Sequence, residues 1–158
     1  MKETYLAVAG RIRQELQELK QVVDRTAHIW QKVVESTDDY YVDAVALNLH
    51  GFYAGLERVF ELIAEGIDQS KPTGANWHQE LLRQMTAEIT NTRPPVISST
   101  TRTKLDTYRG FRHVVRNVYT YHLDQQQIEV LVKQLPATLA NVSQELTAFA
   151  GFLEQVAQ

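Results

Sequence analysis

Hydrophobic residues recur every three or four positions along most of the chain, which is the spacing of one face of an α-helix. No segment alternates apolar and polar residues between turn signals, as a half-buried strand would. Glycine and proline are few and clustered, so long stretches contain no helix breaker. The pattern predicts five helices, over about residues 5–34, 38–67, 77–90, 98–121 and 125–156.

Polar residues and prolines indicate where these helices begin and end. Ser36, Asn76 and Asp124 each precede a periodic segment and have an acidic or amide residue three positions later, as in a capping box. Pro94 should end the third helix, because proline lacks the backbone N–H and restricts the residue before it. Pro136 lies inside the fifth helix, where it would at most introduce a bend. Short connections between the helices predict an all-α, antiparallel up-and-down bundle, with residues 1–158 forming a single domain.

Two glycines lie within the second predicted helix, Gly51 and Gly55. Each costs about 1 kcal/mol of helix stability relative to alanine. We therefore expect that another backbone approaches the helix closely at these positions.

Composition narrows the class of protein. The chain has no cysteine, so it has neither disulfides nor a thiolate metal site. It has no glycine-rich phosphate loop, and His28, His50 and His78 are scattered, so we expect neither a cofactor nor a metal. No apolar run reaches membrane-spanning length and the first residues lack a signal-peptide core, which predicts a cytoplasmic protein without membrane association. The net charge of −3 argues against nucleic-acid binding by bulk charge, so any such role needs a local basic patch.

The fourth predicted helix reverses the charge of the chain. Residues 102–116 contain five lysines or arginines and one aspartate. A rotation of about 100° per residue separates two faces on this helix. The apolar face comprises Phe111, Val114, Val115 and Val118, and the basic face comprises Arg109, Arg112, His113 and Arg116, with Asn117 at its edge and Tyr119 close to Arg112.

Two interpretations of the basic face remain open. It is either the solvated outside of a helical interaction protein or a site that receives phosphate. The second is favoured because no acid lies at the i+4 positions that usually neutralise such a face. Arginine also outnumbers lysine, and its planar fork matches phosphate oxygens. Histidine, asparagine and tyrosine on the same face could orient a substrate or transfer protons.

At these residues the sequence resembles the HepT-like toxins, a branch of the HEPN ribonucleases. Their signature is arginine, a polar residue, three further residues, histidine, any residue and tyrosine. The segment from Arg112 to Tyr119 matches it except that Asn117 occupies the histidine position. A looser pattern from Arg116 to His122 keeps the histidine but has Asp124 where tyrosine would follow. Segments 52–60 and 76–85 and the pair Arg93-Pro94 also resemble the scaffold of the family, so that the resemblance spans about residues 38–135.

The resemblance implies a five-helix bundle that dimerises and places two copies of the motif across a cleft. It implies cleavage of RNA, with tRNA as one candidate, without a metal, and inhibition by a nucleotidyltransferase antitoxin of the MNT type. In some such systems the antitoxin adds AMP to the motif tyrosine, here Tyr119.

The resemblance also assigns roles to individual residues of the motif. Arg112 and Arg116, together with Arg109, would bind or polarise phosphate, and Asn117 would position it. Because an amide cannot act as a base, His113 or His122 would have to move protons. The alternative is a catalytically weakened HEPN module that binds RNA, a nucleotide or the antitoxin without turnover.

Overall fold

The computed structural model describes residues 1–158 and contains five α-helices and no β-strand. The helices are α1 (Lys2–Glu35), α2 (Tyr40–Ile63), α3 (Trp77–Thr86), α4 (Ser99–Asn117) and α5 (Gln125–Val156). A π-helical turn, Ala64–Asp68, continues α2, and a 3₁₀ turn, Thr120–His122, follows α4. The predicted all-α class with five helices is therefore confirmed.

The long helices α1, α2 and α5 form the main body of the bundle. Helix α1 packs against both α2 and α5, while α4 packs against α2, α3 and α5. Only residues 36–39 separate α1 from α2, so the two helices must run antiparallel in order to pack side by side. The largest fully buried side chains are Phe52, Tyr53, Phe60, Tyr108 and Phe111. All five lie on α2 and α4, so the core holds α4, with its basic residues, firmly against α2.

Of the three predicted caps, Asp124 forms as expected and Ser36 and Asn76 do not, while Ser98 also caps α4. The Ser98 hydroxyl accepts from the backbone N–H of the first turn of α4, and the Asp124 carboxylate does the same for α5. Asn76 precedes α3 as predicted, but its side chain makes no capping bond. The predicted role of Ser36 is wrong, because its hydroxyl accepts from the N–H of Asp38 and the Asp38 carboxylate in turn accepts from Tyr40.

Helix α3 ends at Thr86, four residues before the predicted end at 90. The Thr86 hydroxyl donates to the Arg83 carbonyl, a local bond that competes with helix propagation. Beyond it, a turn closed by paired hydrogen bonds between Ile89 and Arg93 places Asn91 in the left-handed region at φ 62°. The turn brings the Arg93 side chain back beneath the end of α3.

Arg93 and Asp68 form a fully buried ion pair. The guanidinium Nε lies 2.6 Å from Oδ1 of Asp68 and its second fork nitrogen 2.8 Å from Oδ2. The remaining guanidinium N–H groups donate to the carbonyls of Gln84, Ala87 and Pro94. The pair therefore joins the π-helical turn that extends α2 to the end of α3. It thereby helps to fix the position of α3 in the bundle.

Helix α4 ends at Asn117, whereas the sequence predicted that it continues to about 121. The Asn117 side chain donates to the His113 carbonyl at 2.7 Å, and Val118 is extended. Leu123 packs against the core, so the chain must turn before α5 begins at Gln125. As a consequence Val118 is exposed rather than part of the apolar face, and Tyr119 lies outside the helix.

The expectation that another backbone approaches α2 at its two glycines is wrong at Gly51, and at Gly55 the close neighbours are side chains rather than backbone. A Cβ atom at Gly55 would lie 2.9 Å from the Glu15 carboxylate and 3.0 Å from the Leu19 side chain, both on α1. A Cβ atom at Gly51 would meet nothing within 4 Å. Of these two glycines, only Gly55 therefore lies at a close contact with α1.

Candidate functional site

The basic residues of α4 and the first turn of α3 enclose a polar cleft with a volume of about 240 Å³. No hydrophobic side chain lines it. The lining residues are Arg109, Arg112, His113, Arg116 and Asn117 from α4 and His78 from α3. The five α4 residues are those that helical periodicity placed on one face, so the structure brings these predicted site residues together.

Arg112 is a half-buried cation of the cleft. It lies four residues after the buried Tyr108, on the side of α4 that faces the bundle, and its Nε is buried without a hydrogen-bond partner. No carboxylate lies within 4 Å of the guanidinium of Arg112 or Arg116. A buried N–H without a partner typically costs about 1–3 kcal/mol. The charge of the guanidinium remains available to an anion in the cleft, and this half-buried position does not fit a merely solvated face.

Arg109 differs from the other two arginines. Its Nε donates to the Asp106 carboxylate at 2.7 Å, one turn earlier on α4. The side chain still lines the cleft, but Asp106 compensates part of its charge. The net positive charge available to a ligand therefore comes chiefly from Arg112 and Arg116.

Asn117 and His113 lie together at the end of α4. Besides its bond to the His113 carbonyl, the Asn117 amide nitrogen lies 3.4 Å from Nδ1 of the His113 ring. The amide is thus held in one orientation, and its oxygen is left free to accept a hydrogen bond from a ligand. His113 is exposed, so its ring can meet a substrate and exchange protons with solvent.

The site contains an imidazole–carboxylate pair that sequence reasoning missed. Nδ1 of His78 lies 2.6 Å from Oε2 of Glu57, and the Glu57 side chain is only 5% exposed. The adjacent Arg58 is not the partner of Glu57, because it binds Glu15 of α1 at 3.2 Å. A signal was present, because Glu57 lies within the apolar stripe of α2, where an acid needs a buried partner.

Two further titratable side chains lie behind the cleft on α2. Burial lowers the pKa of His50, and the positive charges of Arg112 and Arg116 lower it further, although Glu57 opposes them. Burial raises the pKa of Tyr53, and the nearby Glu57 carboxylate adds to the effect. Both groups are therefore neutral near pH 7. The hydroxyl of Tyr53 has no hydrogen-bond partner, so the wall between α2 and α4 contains a second unsatisfied polar atom besides Nε of Arg112.

The other predicted site residues, Tyr119 and His122, lie outside the cleft lining. Tyr119 directly precedes the 3₁₀ turn, and His122 is the last residue of that turn. Tyr119 is 73% exposed, and its ring stacks on that of Tyr121 at 5.9 Å. Tyr121 is also exposed, at 77%. The ring of His122 contacts the ring of Tyr121 edge-on rather than the arginines. Of the two histidines expected to move protons, only His113 lines the cleft.

Other kinds of site find no support in the side-chain arrangement. No three His, Cys, Asp or Glu side chains come together as a metal site would require. None of the five helices combines the length and apolar content needed to cross a membrane.

Comparison with known families gives one match. A family model described as HepT-like protein matches residues 44–153, which is most of the chain and includes α3, α4 and the cleft. Searches of curated proteins and of solved structures find no match. The match agrees with the five-helix bundle and with the motif at the end of α4. The chain therefore belongs to the HepT-like family of HEPN proteins.

Proposed function

We propose that this protein is a metal-independent endoribonuclease, acting as the toxin of a pair whose antitoxin is an MNT-type nucleotidyltransferase. The observation that carries the proposal is the cleft itself. Two guanidinium groups without carboxylate partners, Arg112 and Arg116, share it with ionisable imidazoles. Family membership supports the same class of activity.

The residue types suit RNA cleavage through the 2′-hydroxyl. That oxygen attacks the adjacent phosphorus while a base takes its proton, and negative charge builds up on the phosphorane oxygens. Arg112 and Arg116 would stabilise this charge, with a smaller contribution from Arg109 because of Asp106. Asn117 would accept a hydrogen bond from the ribose, and His113 would transfer a proton. His122 is the weaker candidate, since it lies outside the cleft lining.

We also propose that two copies of the chain form the working enzyme, with the motifs facing each other across the interface. Large apolar side chains on α2 and in the segment that follows α4 are exposed near this end of the bundle, as expected of an interface. They are Tyr40, Leu47, Val118 and Tyr121. Tyr119 would be the site of AMP addition, which its accessible hydroxyl permits.

A second candidate function follows from Asn117. Its amide cannot take a proton, and it is bound to the backbone of its own helix. The chain would then be a HEPN module that binds RNA, a nucleotide or the antitoxin without turnover.

Incubation of the purified protein with tRNA in the presence of EDTA separates the two functions. The ribonuclease should generate fragments with 2′,3′-cyclic phosphate and 5′-hydroxyl ends, because the 2′-oxygen is the nucleophile. The alternative outcome is that tRNA binds in a filter assay but no fragments form at a protein concentration above the Kd. That outcome would establish the second function instead.

The Asn117→His variant should cleave faster than the natural chain if position 117 is the catalytic slot. General acid–base catalysis contributes about 10²–10⁴-fold, and part of this should appear as a higher single-turnover rate. Asn117→Ala is the matched control, since it removes the amide without adding a base. A rate for Asn117→His that equals or falls below that of the natural chain would count against the register from Arg112 to Tyr119.

A further inference from the structure

We infer that His78, oriented by Glu57, is the general base of the cleft and takes over the task that Asn117 cannot perform. The inference rests on the proposed ribonuclease function. It assigns a catalytic role to a residue of α3 that lies outside the α4 motif.

The His78 ring is fixed from two sides. Nδ1 is bound to the buried Glu57 carboxylate at 2.6 Å, and the ring lies against the Trp77 indole with centroids 3.7 Å apart. Glu57 has no other hydrogen-bond partner, and α2 holds it within the core. His78 is therefore the side chain that the carboxylate binds directly.

This geometry determines which ring nitrogen is available. The Glu57 carboxylate accepts a hydrogen bond from Nδ1–H, so in the neutral ring Nε2 carries the lone pair. Nε2 makes no hydrogen bond within the protein, and His78 lines the cleft together with Arg112 and Arg116. A base held by a third group, next to the cations that bind the reacting phosphate, is the arrangement that activates a hydroxyl nucleophile. The negative charge of Glu57 would also stabilise the imidazolium that forms.

Two histidines would carry the protons of the cleavage step. Nε2 of His78 takes the proton of the ribose 2′-hydroxyl while the bond from O2′ to phosphorus forms. The bond from phosphorus to O5′ breaks, and the departing O5′ receives a proton from the imidazolium form of His113. The products are a 2′,3′-cyclic phosphate and a 5′-hydroxyl, and the two histidines return to their starting states by proton exchange with solvent.

A purely structural role for the pair predicts a different outcome. Glu57 and His78 would then only join α2 to α3, and a substitution would lower stability and activity together. Chemical rescue separates the two roles, because free imidazole can replace a missing base but cannot restore a missing contact between helices.

The test compares single-turnover cleavage of tRNA in EDTA by the natural chain, His78→Ala, Glu57→Gln and His28→Ala. His28 is exposed on α1 and away from the cleft, so its variant controls for loss of a histidine. We expect His78→Ala to lower the rate constant about 10²–10⁴-fold with little change in the Kd for tRNA. Added imidazole should restore a large part of the rate to His78→Ala and none to Arg112→Ala. Glu57→Gln should lower kcat with KM nearly unchanged.

Each outcome decides a separate question. A natural chain that cleaves, together with a His78→Ala variant that cleaves equally fast or is not rescued by imidazole, overturns the role of His78 and leaves the ribonuclease intact. A natural chain that does not cleave overturns the proposed function, and the role of His78 with it.

Discussion

Replacing Arg112 with alanine should lower kcat/KM for RNA cleavage about 10²–10³-fold, the usual effect of removing one group that stabilises developing charge. Arg112 should matter most of the three arginines, because it is half-buried, whereas Arg116 is exposed and Arg109 is paired with Asp106. The free energy of unfolding should change by no more than about 1 kcal/mol, since the substitution removes no hydrogen bond or ion pair. Initial rates in EDTA and urea unfolding of the same preparations measure both effects.

Arg13→Ala is the matched control for this experiment. It removes the same positive charge from an exposed pair with Glu154, on the contact between α1 and α5. Its cleavage rate should equal that of the natural chain. Arg112→Lys should recover only part of the activity, because lysine keeps the charge but loses the planar fork. An Arg112→Ala variant as active as Arg13→Ala would refute the assignment of the cleft.

Replacing Arg93 with alanine should destabilise the protein by about 3–5 kcal/mol, the typical consequence of leaving one partner of a buried ion pair uncompensated. The Arg93 and Asp68 side chains are both 0% exposed, and Arg93 also satisfies three carbonyls at the end of α3. Urea unfolding monitored by circular dichroism gives the free-energy change, and the slope tests whether unfolding remains two-state.

An exposed pair provides the contrast. Arg83→Ala breaks a contact with Glu80 in which the side chains are 71% and 49% exposed, and it should alter stability by less than about 1 kcal/mol. The double variant Asp68→Ala/Arg93→Ala should lose less than the sum of the two single variants, because neither charge remains buried alone. If Arg93→Ala unfolds at the same urea concentration as Arg83→Ala, the buried pair has no structural role.

The cleft and the buried ion pair of Arg93 and Asp68 are linked through α3. The buried pair holds the end of α3 against the extension of α2, and the beginning of α3 carries His78. Loss of Arg93 should thus disturb the position of His78, although Arg93 itself bonds to no residue of α4. This connection gives a physical reason why a side chain far from the motif supports the candidate site.

The local pattern of hydrophobic and polar residues predicted a large part of the secondary structure. The five helices followed from three- and four-residue periodicity, because the rotation per residue is a constant of the backbone. The same constant placed Arg109, Arg112, His113 and Arg116 together on α4, where the structure has them. The helical pattern overestimated the length of α4. The spacing of hydrophobic and basic residues continues past Asn117, but the chain turns there so that Leu123 reaches the core.

The sequence by itself thus determined the fold class, the HepT-like identity and one wall of the cleft, since each depends on residues that are close in the chain. Only the tertiary structure decided what faces that wall. Glu57 and His78 are 21 positions apart, and Asp68 and Arg93 are 25 apart. Their pairing depends on how α2, α3 and α4 pack, and helical spacing carries no information about which side chains of different helices meet.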